Sequence, residues 1–373
     1  MSDDALVAPP ILDQRTLNRT LLARQGLLRR ERRPVAGVLE DLVGLQAQEP
    51  QNPFVGLWSR IEGFDPTELD RLLVDRAAVR TGLMRTTLHL VTADDAVALQ
   101  PLFAPVLART LQSQRAFRIG LDGLDLAEVA AEGERHLSAQ PMTAGVLRPL
   151  LAERFPGRDP AVLMMAVRYL VPVVQVPPRG LWRQSRQPTL TTLAAWTGRS
   201  PGTDGDTDAV VLRYLRAFGP ASTSDVRTWS WLTGLAPVVA RLRAELRTYR
   251  DPSGRELLDV PDGPIVDGGE EAPIRFLPEY DNTFLSHADR ARITPTRPTL
   301  EQYDKGTLLV DGFATAGWRL KVDAGATVLV IRPIRALTVA EQSAVDDEAQ
   351  SLLAFLAQDA DRSRIAWAMD LAG

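Results

Sequence analysis

Two glutamines, Gln46 and Gln48, stand one residue apart in Leu42-Val43-Gly44-Leu45-Gln46-Ala47-Gln48-Glu49-Pro50-Gln51-Asn52-Pro53, where an apolar pattern gives way to prolines. A carboxamide carries a donor and an acceptor and no charge at physiological pH. It can orient a water or read a base edge, but it is not a general base of ordinary strength. Leu42, Val43 and Leu45 continue a helical spacing, and Pro50 turns Glu49 away from the α region, so the pattern predicts a helix that ends near Gln48. Inside a regular helix, residues two apart project about 200° apart; at an unwinding end they turn to one side and can bracket one small object. The plainer reading is that both amides satisfy the orphan carbonyls of a helix end. Glu49 is either a base or stabiliser of positive charge, or a solvated acid beside a proline.

Composition limits what such a pair can belong to. With 373 residues, 45% of them hydrophobic, the chain has material for substantial cores and for two to four modules. No run approaches the roughly 18 to 20 apolar residues of a membrane span. The start, Met1-Ser2-Asp3-Asp4, is acidic and unlike a signal peptide, so a cytoplasmic protein without membrane contact is expected. There is no cysteine, and three scattered histidines, His89, His136 and His287, make a poor ligand set; neither metal nor cofactor is expected. The net charge of −4 conceals an asymmetry: residues 1–250 hold 31 basic and 26 acidic side chains, residues 251–373 hold 12 and 21. The first two thirds are the candidate polyanion surface. Of the 43 basic residues 41 are arginine, which suits phosphate and base stacking but is equally the product of a GC-rich genome, so clustering weighs more than the count.

The elements that must position these residues repeat a pattern. From Leu12 to Asp94 the apolar spacing predicts four helices followed by a hairpin over Val79 to Val91, turned at Arg85-Thr86. Asp65-Pro66 reads as an N-cap followed by proline at the first helical position. Helices followed by a β-hairpin make a winged-helix layout. It recurs in helices over Leu126 to Leu137, Thr143 to Ala152 and Pro160 to Leu170, then a strand at Val171 to Val176 and a wing through Leu181 to Leu193. A third set follows: Asp208 to Phe218, Ser222 to Leu232 opened by a Ser222-x-x-Asp225 capping box, Leu235 to Leu246, and strands over Arg247 to Val260. Thr197 to Thr207 and Pro261 to Pro273 read as linkers. The last hundred residues predict strands at Ile274 to Leu277, Gly306 to Phe313, Gly317 to Val322 and Ala326 to Ile331, a turn at Ala314-Thr315-Ala316, and a helix from Val339 to Leu356. The expected fold is mainly α with an α+β C-terminal part: three tandem winged-helix modules over residues 1–94, 121–196 and 208–260, and a small α+β domain over 274–373.

Cations cluster with an aromatic on the second wing, at Arg179, Trp182, Arg183 and Arg186, a pattern suited to a DNA backbone. The competing reading is a solvated hairpin with Trp182 in the core. Arg85, at the tip of the first wing, stands between the same two readings. Arg319, beside Trp318 on a late hairpin, is a further candidate for a groove, although a tryptophan there is more often core.

The run Gly44-Leu45-Gln46-Ala47-Gln48, followed by Arg80-Thr81-Gly82-Leu83-Met84-Arg85-Thr86-Thr87-Leu88-His89-Leu90-Val91, resembles the bacterial winged-helix DNA glycosylase family typified by AlkZ, associated with azinomycin resistance. Pro178-Arg179-Gly180-Leu181-Trp182-Arg183-Gln184-Ser185, Ala217-Phe218-Gly219-Pro220-Ala221-Ser222 and Leu277-Pro278-Glu279-Tyr280-Asp281 are similar to that family as well, so the resemblance spans nearly the whole chain. It implies that Gln46 and Gln48 form the catalytic Gln-x-Gln motif, where a broader repair branch carries Gln-x-Asp. It also implies a monofunctional enzyme, curved around duplex DNA as a monomer, that excises bulky N7-alkylpurines and unhooks interstrand crosslinks left by azinomycin-like genotoxins. The competing expectations are a winged-helix transcriptional regulator, which needs no paired amides, and a structural protein built from winged helices.

Overall fold

The computed structural model describes residues 8–295, 305–358 and 362–368; the acidic start of the chain lies outside them. The fold is mixed α and β, and three sheets organise it. The first has six strands, β1 (Leu45–Gln46), β2 (Ala78–Gly82), β3 (Leu88–Thr92), β4 (Met142–Thr143), β5 (Val173–Val176) and β6 (Thr189–Thr192), in the order β1-β3-β2-β5-β6-β4. A two-stranded ribbon joins β7 (Arg247–Arg250) and β8 (Glu256–Asp259). The third sheet runs β13-β12-β11-β10-β9, built from β9 (Arg275–Pro278), β10 (Gly306–Val310), β11 (Phe313–Asp323), β12 (Ala326–Pro333) and β13 (Ser363–Trp367).

One order of elements occurs three times. Helix Val35–Asp41, β1, helices Asn52–Trp58 and Pro66–Val74, β2 and β3 make the first set. Helix Leu126–Ala139, β4, helices Ala144–Arg154 and Pro160–Leu170, β5 and β6 make the second. Helix Thr207–Phe218, a single bridge at Ala221, helices Thr223–Ser230 and Leu235–Leu242, β7 and β8 make the third. In each set the first extended residues pair with the last strand: β1 with β3, β4 with β6, Ala221 with Leu258. The pairing of β2 with β5 fuses the first two sets into one sheet.

Alternation along these strands divides the core. Val79, Val91, Val174 and Val176 face one way and pack with Leu21, Phe103, Tyr214, Phe218 and Trp229. Leu45, Ala78 and Leu90 face the other way and pack with Leu39, Phe54 and Leu69, and with Phe276, Leu308, Ile331 and Leu352 of the C-terminal layer. A third cluster around Val129, Leu151, Leu163 and Val167 fills the second set. At about 1.5 to 3 kcal/mol per large apolar side chain, the first two clusters clamp the sheet that carries Gln46 from both sides.

Local signals in the sequence are met at several places. Asp65 accepts from the Thr67 N–H and Pro66 opens its helix; Ser222 and Asp225 form the capping box; the helix Pro160–Leu170 and the last helix, Val339–Leu356, begin and end at the residues expected. Two expectations are corrected. The helix before the glutamines ends at Asp41, not near Gln48, because Val43 (φ 54°) and Gly44 (φ 87°) enter left-handed backbone and their N–H groups bond back to Glu40 O and Leu39 O. The C-terminal hairpin does not turn at Ala314-Thr315-Ala316, which lies inside β11; the turn is Asp311-Gly312, both with positive φ, as a two-residue hairpin requires. Helix Ala93–Ser113, which had no counterpart in the sequence reading, runs through Pro101 and Pro105 and is opened by Thr92 accepting from Asp95 N–H.

Candidate active site

Gln46 sits on β1, not on a helix. It is register partner of His89 on β3, and the strand direction continues through Ala47, whose N–H donates to Leu88 O at 2.7 Å. Gln48 follows two residues on, at a bend beyond the end of β1. The close approach of this strand to β3 depends on Gly44. A Cβ at that position would lie 2.4 Å from Val91 Cγ1 and 2.8 Å from Leu90 O. Asn282 closes the turn from the other side, its Nδ2 donating to Gly44 O at 2.7 Å.

The two amides are held differently. Gln46 is buried, 8% exposed, and its Oε1 accepts from Arg85 Nη2 at 2.9 Å. Arginine has only donors, so this contact fixes which end of the carboxamide is oxygen. Gln48 is exposed, and its Oε1 faces the Leu88 N–H at a loose 3.4 Å. Glu49 is exposed next to it.

Arg85 lies in the hairpin tip between β2 and β3, where both Arg85 (φ 52°) and Thr86 (φ 57°) are left-handed, a costly conformation that folds the tip back over the sheet. Its Nη1 donates to Trp229 O at 2.6 Å, in the last turn of helix Thr223–Ser230 and its exit, where the helix dipole favours a cation. Its Nη2 also approaches His89 Nε2 at 3.4 Å. Burial lowers the Arg85 guanidinium to about 10, still charged at neutral pH. Burial, and then the charge of Arg85, lower His89 to about 3, so the ring is neutral. His89 Nδ1 lies 3.0 Å from Thr87 O, which only a protonated Nδ1 can bond; Nε2 is left as an acceptor towards Arg85.

Under the same loop lies Arg80, 2% exposed, whose Nη2 donates to Ala47 O at 2.8 Å. Burial first, with a contribution from Arg179 and against that of Glu49, lowers its guanidinium to about 10. Gly180 packs directly on it, with no room for a Cβ. Gln51 ties the β5–β6 connection to the loop: its Nε2 donates to Leu181 O at 3.0 Å and its Oε1 accepts from the Arg183 N–H at 2.9 Å. The opposite flank is the segment Leu277–Asp281. Asp281 pairs bidentately with buried Arg60 at 2.9 Å, Asn52 Nδ2 donates to Glu279 O at 2.7 Å, and Tyr280, at φ 64° and 43% exposed, stands out between them. A hydrogen bond to Glu279, then partial burial and the charges of Glu279 and Glu49, raise the Tyr280 phenol.

Gln46 and Arg85 are thus brought into contact, while Gln48 and Glu49 follow on the exposed loop. Arg179 is half-buried and donates to Arg186 O at 2.8 Å, while Arg186 and Arg183 are exposed, the latter donating to Leu356 O at 2.9 Å. Trp182 is half-buried with its ring 4.9 Å from Phe54 and 4.8 Å from Phe355, and its backbone N–H donates to Asp70 Oδ1 at 2.8 Å. Arg319 is half-buried on β11 opposite Val330; its neighbour Trp318 is core, donating from Nε1 to Leu277 O at 2.9 Å. His89, Arg80, Asn282 and Tyr280 were missed as site residues, although Arg80, His89 and Tyr280 fall within the quoted motifs. Among the described residues no group of three His, Cys, Asp or Glu side chains is placed to hold a metal ion, and no helix is long and apolar enough to cross a membrane.

A neutral amide pair, a neutral histidine and buried guanidinium groups provide orientation and hydrogen bonding without a titrating base. No curated protein matches this chain. Among solved structures, Streptomyces sahachiroi DNA glycosylase AlkZ matches with a TM-score of 0.73 over 95% of this chain and 100% of that one, at 19% identity, a likeness of fold. The AlkZ-like DNA glycosylase family model matches residues 39–355, from the helix before Gln46 to the last helix. With most of its length in that match, the chain belongs to the AlkZ-like DNA glycosylase family and is a DNA glycosylase.

Proposed function

We propose that this glycosylase is monofunctional and hydrolyses the N-glycosidic bond of bulky N7-alkylpurines in duplex DNA, unhooking crosslinks made by azinomycin-like genotoxins. The observation that carries the reading is the chemistry of Gln46 and Gln48: two uncharged amides two residues apart, with no titrating base bonded to either among the described residues. An N7-alkylpurine is already cationic. Its C1′–N9 bond breaks with the electron pair going to the base, which leaves neutral; water adds to the sugar cation and gives its extra proton to solvent. Such a leaving group needs little acid, and the protein chiefly has to place the water and accommodate positive charge. Gln46 orients the water, Gln48 contacts the lesion or sugar, and exposed Glu49 stabilises the cationic sugar.

The three sets of helices and paired strands are read as winged-helix modules over 1–94, 121–196 and 208–260, with the α+β part over 274–373, together curved around the duplex as a monomer in the cytoplasm. Arg179, Arg183, Arg186 and Arg319 supply backbone contacts. A transcriptional regulator would gain nothing from an amide fixed by a buried arginine. The test is single-turnover release of base from a duplex crosslinked at guanine N7 by a nitrogen mustard. Gln46→Ala is expected to slow release by orders of magnitude, to a residual rate that long single-turnover time courses still read, while leaving the fold and duplex affinity nearly unchanged. Release at the normal rate removes Gln46 from the reaction.

A further inference from the structure

Arg85 is the one side chain bonded to the Gln46 carboxamide among the described residues, and it reaches that amide through two consecutive left-handed residues. No carboxylate is paired with it among those residues; its partners are Trp229 O, Gln46 Oε1 and the acceptor nitrogen of His89. All are neutral acceptors at fixed positions around a planar fork, a set that a lysine ammonium does not reproduce. Gln46 Nε2 has no bonded partner among the described residues and is not among the buried unpaired atoms, so it is the end left to meet a ligand.

We propose that Arg85 is a positioning residue for base excision: it locks the Gln46 carboxamide with Oε1 turned inward and Nε2 presented to the attacking water. This rests on the reading that Gln46 orients that water. A water that accepts from Nε2–H through one lone pair keeps the other for C1′, and its two protons remain for acceptors such as Gln48 Oε1. A free amide would present oxygen and nitrogen in turn, and the water would lose its fixed orientation. Pairing with the carbonyl also polarises the amide, strengthening its N–H donors. The carbonyl end of helix Thr223–Ser230 offsets the charge of Arg85 beside a cationic transition state.

A wing-tip arginine on a DNA phosphate and an arginine that acts through Gln46 differ in what they change. Arg85→Ala and Arg85→Lys are made in the native and in the Gln46→Ala backgrounds. Single-turnover release from the mustard-crosslinked duplex is measured with binding to adduct-free duplex across a salt series. Both Arg85 variants are expected to slow release about 10- to 100-fold, to leave the salt slope unchanged, and to add no loss where Gln46 is already alanine. If Arg85→Ala fails to fold, the charge-retaining Arg85→Lys carries the same test. The proposal is overturned by a drop of about 0.9 in the salt slope, the signature of a lost phosphate contact, or by an equal fractional loss in both backgrounds. A normal rate for Arg85→Ala with Gln46→Ala strongly slowed overturns this proposal alone; a normal rate for Gln46→Ala overturns the functional reading and this proposal with it.

Discussion

Three neutral acceptors meet at the Arg85 guanidinium, and the neutrality of one of them, His89, has consequences that pH can read. His89 is neutral in the fold, its pKa lowered to about 3 by burial, against an ordinary value of 6.5. A group whose pKa falls on folding contributes stability that is complete above its unfolded pKa and is lost as pH drops towards the folded one. The window therefore runs from 6.5 down to about 3, and at pH 5 the loss from His89 is about 2 kcal/mol. Buried His287, lowered by burial and by Arg292 against the pull of Asp225, adds in the same direction. Denaturant midpoints at pH 8 and pH 5 for the native protein and His89→Asn check this. The variant should lose about 2 kcal/mol of the pH dependence, and an undiminished pH dependence would mean that His89 titrates normally. Base release should meanwhile show no inflection from His89 between pH 6 and 8, because the ring stays neutral throughout.

At the scale of elements, Gln46 is set by a strand of two residues whose partner lies far along the chain. Gly44 makes that pairing close, so Gly44→Ala should strain the φ 87° turn and push β1 off Val91. The expected cost is about 1 to 3 kcal/mol, and base release should fall by more than the unfolded fraction explains. Thermal unfolding and release measured together decide this; equal losses would make Gly44 merely structural. The same pairing shows what could be read beforehand. The β2–β3 hairpin, the Asp65-Pro66 start and the Ser222 capping box were legible because each is encoded within a few residues. The bond between Gln46 and Arg85 was not, since it depends on β1 finding β3 and on a helix exit at Trp229. The helical spacing of Leu42, Val43 and Leu45 misled because buried strands and helices both carry apolar runs, and Gly44 was the signal that should have stopped the helix early. Asp311-Gly312 was a missed signal of the same kind, a hairpin dipeptide standing plainly in the sequence.

Across the whole molecule, charge and packing divide the work. The β5–β6 connection is fastened to the glutamine loop through Gly180 on Arg80 and Gln51 on Leu181 and Arg183, so a duplex held by that connection would be held in register with Gln46. Trp182 contributes packing to this joint, with its ring against Phe54 and Phe355, and the charge is left to Arg179, Arg183 and Arg186. Each phosphate they neutralise contributes about 0.9 to the slope of log K against log salt. Replacing all three by glutamine should therefore weaken binding to duplexes of unrelated sequence alike and flatten that slope by up to about 2.7, with thermal unfolding measured alongside because Arg183 also donates to Leu356 O and lies over the Trp182 ring. Release from saturated crosslinked duplex should fall far less than affinity, since the Gln46 and Arg85 geometry is untouched. The readout is binding to several duplexes, with and without an N7 adduct, over a salt titration. A strong preference for one sequence would favour a regulator's mode of binding. An unchanged slope in the triple variant would move the duplex to another face, and the link from the β5–β6 connection through Arg80 to Ala47 would then serve to brace the loop alone.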